Sequence, residues 1–147
     1  MIRRILVALD ESPRATSVFQ RGVELARGQE AELILFRSVA LPQEFPAAGA
    51  GTPPDALGPS LVRGAERDLT AYLAREAELT ARVVAKLELS PDRAVLAASE
   101  ELDVDLIVIG NHGYRGLDRI LGTTAVRILH GAKRDVLIVF RGSKPAG

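Results

Sequence analysis

The run GNHGYRGLDRILGTTA, residues Gly110 to Ala125, is the part of this chain about which the rest is arranged. Ahead of it stands Asp105-Leu106-Ile107-Val108-Ile109, short, apolar and rich in β-branched residues, which reads as a buried strand. Behind it, Val126-Arg127-Ile128-Leu129-His130 is apolar at helical spacing and reads as a helix opened by Gly122-Thr123-Thr124. Gly110, Gly113, Gly116 and Gly122 fall between the two. A strand that runs through a glycine-rich loop into a helix is suited to holding phosphate. Glycines let backbone N–H groups come close to an anion, the helix start contributes unpaired donors, and the threonine hydroxyls add two more. The plainer alternative is a strand-to-helix turn with no ligand. Gly-Thr-Thr at the helix start and the pattern of the remaining chain favour the phosphate reading.

Composition narrows the function classes. At 147 residues the chain has the length of one domain with a sizeable core. The balance of 19 basic and 19 acidic residues gives no electrostatic reason to bind nucleic acid or an acidic membrane. Aromatic residues are 4% with no Trp, which disfavours stacking platforms for single strands. The absence of cysteine excludes disulfides, thiolate zinc sites and cysteine nucleophiles. Apolar runs such as Ile5 to Leu9 and Val136 to Phe140 are far below the ~20 residues that span a bilayer. Met1-Ile2-Arg3-Arg4 carries the charge of a signal peptide, but Asp10 closes the apolar run too early. A cytoplasmic protein is expected.

In chain order, Arg4 to Leu9 is a nearly continuous apolar run, expected of a central strand covered on both faces. Ser12-Pro13 is expected to cap and open a helix with Val18, Phe19, Gly22, Leu25 and Ala26 on one face, ended by Gly28. Gly22 within that face predicts close contact with the sheet. Leu33 to Phe36 is the second strand. Ala40 to Ser60 holds five of the eight prolines and three glycines and reads as a mobile loop. An amphipathic helix follows on Leu61, Ala65, Leu69, Tyr72, Leu73 and Ala77, then an edge strand over Arg82 to Leu87. Ser90-Pro91-Asp92 starts the next helix, packed through Val95, Leu96, Ser99 and Leu102. Val136 to Phe140 is the last strand.

Five strands separated by four helical stretches require crossover connections. The expected fold is therefore α/β, an open, mainly parallel sheet with helices on both faces. The two most uniformly apolar strands, the first and the fourth, belong side by side at the centre. Ligands of such sheets bind beyond the carboxyl ends of the strands, where the strand order reverses. That places Asp10 and Gly110 at the mouth of one crevice, with a base and sugar near Leu9-Asp10 and phosphates on the glycine loop.

At this point the chain resembles the universal stress protein family, of the ATP-binding branch. The resemblance covers almost the whole sequence: ILVALDES before a helix, VDLIVIGNHG after one, RGLDRILGTTA, and the final VLIV. It implies a single domain of the adenine nucleotide alpha hydrolase-like fold, with strand order 3-2-1-4-5. The family signature is Gly, two residues, Gly, nine residues, then Gly-Ser or Gly-Thr. Here Gly110 and Gly113 supply its first part and Gly122-Thr123 its second. By position, the resemblance implies Ala8, Leu9 and Asp10 at the adenosine end. Ser38, just past the second strand, would lie beside the base, and Ile109 and Gly110 along the ribose. Gly113, Gly122, Thr123 and Thr124, with Ala125 following, would hold the phosphates of ATP and any Mg or Mn they carry. Two departures stand out. Only eight residues, Tyr114 to Leu121, separate Gly113 from Gly122, and Leu89-Ser90-Pro91 replaces a Gly-x-Pro element.

Individual residues allow competing roles. Asp10 serves as helix cap, as ligand to the adenosine end, or as both. His112 invites a reading as general base, but hydrogen bonding that shapes the loop suits it better. His130 is the only other histidine, so no histidine metal cluster is available. Arg115 and Arg119 are long enough to reach phosphates, and Arg115 is kept as a candidate. The leading functional reading is an ATP-binding regulatory protein of the stress response. It acts as a homodimer through the Val136–Phe140 edge and signals to a protein partner, with no nucleic acid or membrane partner. An enzyme that hydrolyses ATP or transfers its phosphoryl group is the second reading. No GxxxxGK[ST] element is present, so turnover is expected to be slow at most. A dimeric scaffold that has lost its ligand is the third.

Overall fold

The computed structural model describes residues 1–42, 54–111 and 121–140. The elements alternate β1 (Arg4–Ala8), α1 (Ala15–Gln29), β2 (Glu32–Val39), α2 (Pro54–Leu73), β3 (Ala81–Leu87), α3 (Pro91–Glu101), β4 (Leu106–Gly110), α4 (Thr123–Gly131) and β5 (Asp135–Val139). All pairings are parallel, in the order β3-β2-β1-β4-β5, as expected from the sequence. β1 and β4 sit at the centre because both of their faces are apolar, with Ile5, Leu6, Val7, Ile107 and Val108 fully buried.

Alternation along the strands sends side chains to two cores. Ile5, Val7, Leu33, Leu35 and Val108 pack beneath α1 and Leu69 of α2. Leu6, Ile34, Phe36, Ile107 and Ile109 pack beneath α3 and α4, against Ala94, Val95, Ala98, Ala125 and Ile128. The Phe19 and Tyr72 rings meet at 5.0 Å between centroids and join α1 to α2. Gly22 lies against the sheet as expected, since a Cβ there would fall 2.5 Å from Val7 Cγ2. At the amino ends of the central strands, Asp105 Oδ2 accepts from the N–H groups of Arg3 at 2.7 Å and Arg4 at 3.0 Å. These bonds hold its carboxyl below the ordinary carboxylate range.

Several boundaries differ from the sequence reading: β2 extends to Val39, α2 ends at Leu73 ahead of Ala77, and β5 runs Asp135–Val139, so that Phe140 falls just past it. Pro13 lies ahead of α1, which starts at Ala15 with Arg14 at its N-cap and no side-chain cap bond. Ser12 Oγ accepts from Arg14 N at 3.3 Å instead, two residues ahead of the N-cap position. Gly28 is inside α1, and Glu30, at φ 52°, makes the left-handed exit. α2 begins at Pro54, within the stretch expected to be loop, and carries Pro59 at the loss of one intrahelical hydrogen bond. Residues 43–53 of that stretch lie outside the described residues. No helix among the described residues is long and apolar enough to cross a membrane.

Candidate functional site

The strand order reverses between β1 and β4. β1 passes through α1 to β2 on one side, and β4 passes through α4 to β5 on the other. Because α1 and α4 lie on opposite faces of the sheet, the two connections part above the carboxyl ends of β1 and β4 and leave a crevice. It encloses a cavity of about 350 Å³. Ten of the residues singled out from sequence line it together: Ala8, Leu9, Asp10, Ser38, Ile109, Gly110, Gly122, Thr123, Thr124 and Ala125. His112, Gly113 and Arg115 lie outside the described residues.

The walls divide by chemistry. Phe36, Val95 and Ile128, on the α3 and α4 side, make an apolar slot suited to a flat ring, while Asp10, Ser12, Arg14, Ser38, Thr123 and Thr124 supply polar groups. Gly110 is needed where it stands. A Cβ would come within 2.8 Å of Val18 Cγ2, so a side chain there would push α1 off β4. Ser38 belongs to β2, paired with Lys86, rather than to the loop past it. Alternation turns it to the α3 and α4 side with Ile34 and Phe36, the side on which the slot opens.

Asp10 is not a helix cap. Its Oδ1 accepts from Ser12 N at 2.9 Å, which folds residues 10–12 into a tight turn three residues ahead of the helix. The far end of the crevice is the start of α4. Gly122 is its N-cap, and among the described residues no side-chain cap bond closes this helix start; Gly122 and the exposed residues Thr123 and Thr124 line the crevice. Asn111, 2% exposed, organises this end, its Oδ1 accepting from Gly122 N at 3.2 Å.

The sequence reading missed three contributors. Arg14 donates to the Asn111 carbonyl and so ties the start of α1 to the end of β4 across the crevice. Asn111 itself sits inside the quoted motif, but only its side-chain bond to Gly122, 11 positions on, reveals its role. Arg37, 6% exposed, holds the β1 end through its Nε to the Leu9 carbonyl at 2.9 Å. The one sequence signal for Arg37 is a lone cation in the apolar run Leu33-Ile34-Leu35-Phe36-Arg37. Among the described residues no group of three or more His, Asp or Glu is placed to hold a metal ion.

The profile of the universal stress protein family matches residues 1–139. A Coxiella burnetii protein, "Universal stress protein A homolog 1", is 32% identical over 147 residues, which is 94% of this chain and 96% of that protein. Among solved structures, "Crystal structure of universal stress protein in complex with cAMP" superposes at TM-score 0.71 with 20% identity, over 96% of this chain and 99% of the other. "Structure of the universal stress protein from Archaeoglobus fulgidus in complex with dAMP" superposes at TM-score 0.58 with 17% identity, over 94% and 97% of the two chains.

Proposed function

This chain belongs to the universal stress protein family, and from that premise we propose that it binds ATP in the crevice between β1 and β4 and acts as a homodimeric regulator of the stress response. The observation that carries the reading is the crevice itself. An apolar slot beside the Leu9–Asp10 turn suits a purine, and an uncapped helix start with two threonines lies at the other end. The two ends match the two ends of a nucleotide. Adenine nucleotides in two structures of the same fold, cAMP and dAMP, support the ligand class. Thr123, Thr124 and the first-turn N–H groups of α4 would take the phosphates, and the phosphates would carry the Mg or Mn.

Turnover is slow or absent in this reading, because the sequence lacks the P-loop lysine that phosphoryl transfer leans on. The protein then works by changing state when nucleotide binds. The dimer would form through β5, which ends the sheet. Val139 O accepts from Asn111 N, so that residue's polar groups face β4, while those of Ile138 and Phe140 face outward. An outward row of this kind can pair with its own copy across a two-fold axis.

The test is calorimetric titration of the purified protein with ATP, ADP and AMP, alongside identification of any nucleotide that co-purifies. Micromolar or tighter binding of ATP is expected. No binding of any of the three, with none co-purified, would refute the reading.

A further inference from the structure

Among the described residues Arg37 is the one buried cation at the crevice, with its side chain 7% exposed. Its neighbours on the same face of β2 are Leu33 and Leu35, and a third leucine would fill the position at no electrostatic cost. A buried guanidinium is costly unless several groups receive its N–H bonds. Arg37 has three. Nε donates to the Leu9 carbonyl at 2.9 Å, Nη2 to the Asp10 carbonyl at 3.1 Å, and Nη1 to Asp68 Oδ2 at 3.3 Å. The Asp68 carboxylate, on α2, is 64% exposed and so offsets the charge only in part.

Two successive carbonyls held by one rigid fork fix two successive peptide planes. Those planes set the directions of the Asp10 side chain and of the Asp10 and Glu11 N–H groups, at the end of the crevice assigned above to the base. We infer that Arg37 is a positioning residue for the ligand's adenosine moiety, acting through the Leu9–Asp10 turn and anchored by Asp68 of α2. The inference rests on the nucleotide reading, but it assigns Arg37 no phosphate contact. Lysine keeps the charge and loses the fork, so it cannot hold both carbonyls and Asp68 in one geometry.

The experiment compares wild type with Arg37→Lys by amide exchange of residues 9–12 without ligand and by titration with ATP and AMP. Expected are exchange at least tenfold faster in the turn and an affinity about tenfold lower for both nucleotides, the size of one lost hydrogen bond. Their ratio should not change. Unchanged exchange or unchanged affinity in the folded variant overturns the inference and leaves the nucleotide reading intact. A loss confined to ATP overturns it too, since Arg37 would then be a phosphate ligand. A wild type that binds neither nucleotide ends both. Should Arg37→Lys not fold, Asp68→Asn removes only the exposed anchor. A two- to threefold loss for both nucleotides with faster turn exchange is expected there, and no change in either overturns the inference.

Discussion

Gly22 and Gly28 lie in the same helix, and the same substitution should act on them in opposite directions. Replacing an interior helical glycine by alanine stabilises by up to ~1 kcal/mol, through backbone entropy and helix propensity. At Gly28 a Cβ meets nothing within 4 Å. It lies one residue before the end of α1, so about 0.5 kcal/mol of that gain should appear. At Gly22 the new Cβ would fall 2.5 Å from Val7 Cγ2 and 3.4 Å from Leu33 Cδ1. An ordinary carbon contact is about 3.5–4.0 Å, so Val7 or the helix must move by at least ~1 Å. Val7 is fully buried in a central strand and β-branched, with little freedom at χ1. Overpacking a core of this kind costs about 1–3 kcal/mol, which exceeds the propensity gain. Net destabilisation of about 1–2 kcal/mol is expected for Gly22→Ala, a fall of roughly 3–8 °C in Tm for a domain of this size. Gly28→Ala should rise by roughly 2 °C. Paired urea and thermal unfolding followed by circular dichroism measures both. A Gly22→Ala protein as stable as wild type, or more so, would refute the close-approach argument.

Thr123→Val and Thr124→Val should each lower ATP affinity by about tenfold, roughly one hydrogen bond to a charged group, while adenosine affinity is unchanged; calorimetric titration with both ligands checks this. Ile138→Pro removes an outward-facing N–H of β5 without touching the Val139 bond to Asn111, and should convert the dimer to monomer by light scattering at micromolar concentration. A wild type that is monomeric there would refute the β5 interface. Asp105→Asn should cost about 1 kcal/mol at neutral pH, reduced from a buried value because the group is exposed. The Asp105 carboxyl is held below its ordinary 3.8 in the folded state, so its stabilisation is complete above that pH and lost as the pH falls further. The gap between wild type and variant in urea unfolding should therefore be constant from pH 7 to about 5 and close below pH 3.8.

The strand pattern was legible because both faces of a central parallel strand must be apolar, and Ile5–Leu9 and Leu106–Ile109 say so in their side chains. Making those two strands neighbours fixes the centre of the order 3-2-1-4-5, and the family resemblance implies the rest. Asp10 and Gly110 were legible at the crevice for the same reason, since topology brings those strand ends together, whereas Ala8, Ser38 and Ile109 came from the family resemblance. Arg37 and Arg14 were not. Their partners are backbone carbonyls of Leu9, Asp10 and Asn111, and a carbonyl has no residue identity that a sequence could reveal. The start of α1 was misread because Ser-Pro is an ordinary helix opening, whereas here Asp10 binds Ser12 N and Ser12 binds Arg14 N. Those two short bonds carry the chain two residues further before the helix can begin. In α2, prolines weighed toward loop, yet Pro54 stands at the first helical position, where its fixed φ suits the helix.

The pairing of β1 with β4 has a consequence for the order in which the protein is made. Ile5 lies beside Leu106, and Val7 beside Val108, so a strand finished at the beginning of synthesis waits for one completed near its end. Until then the first four elements form one wall of the crevice and nothing faces it. A growing chain therefore has no place for a ligand until α4 has left the ribosome. If the proposed nucleotide binds there, it acts on the last step alone, and at a hundredfold excess over its Kd it would favour the completed fold by about 2.7 kcal/mol. Chains cut short before β4 would gain none of this, so nucleotide binding of the proposed kind would favour whole copies over partial ones.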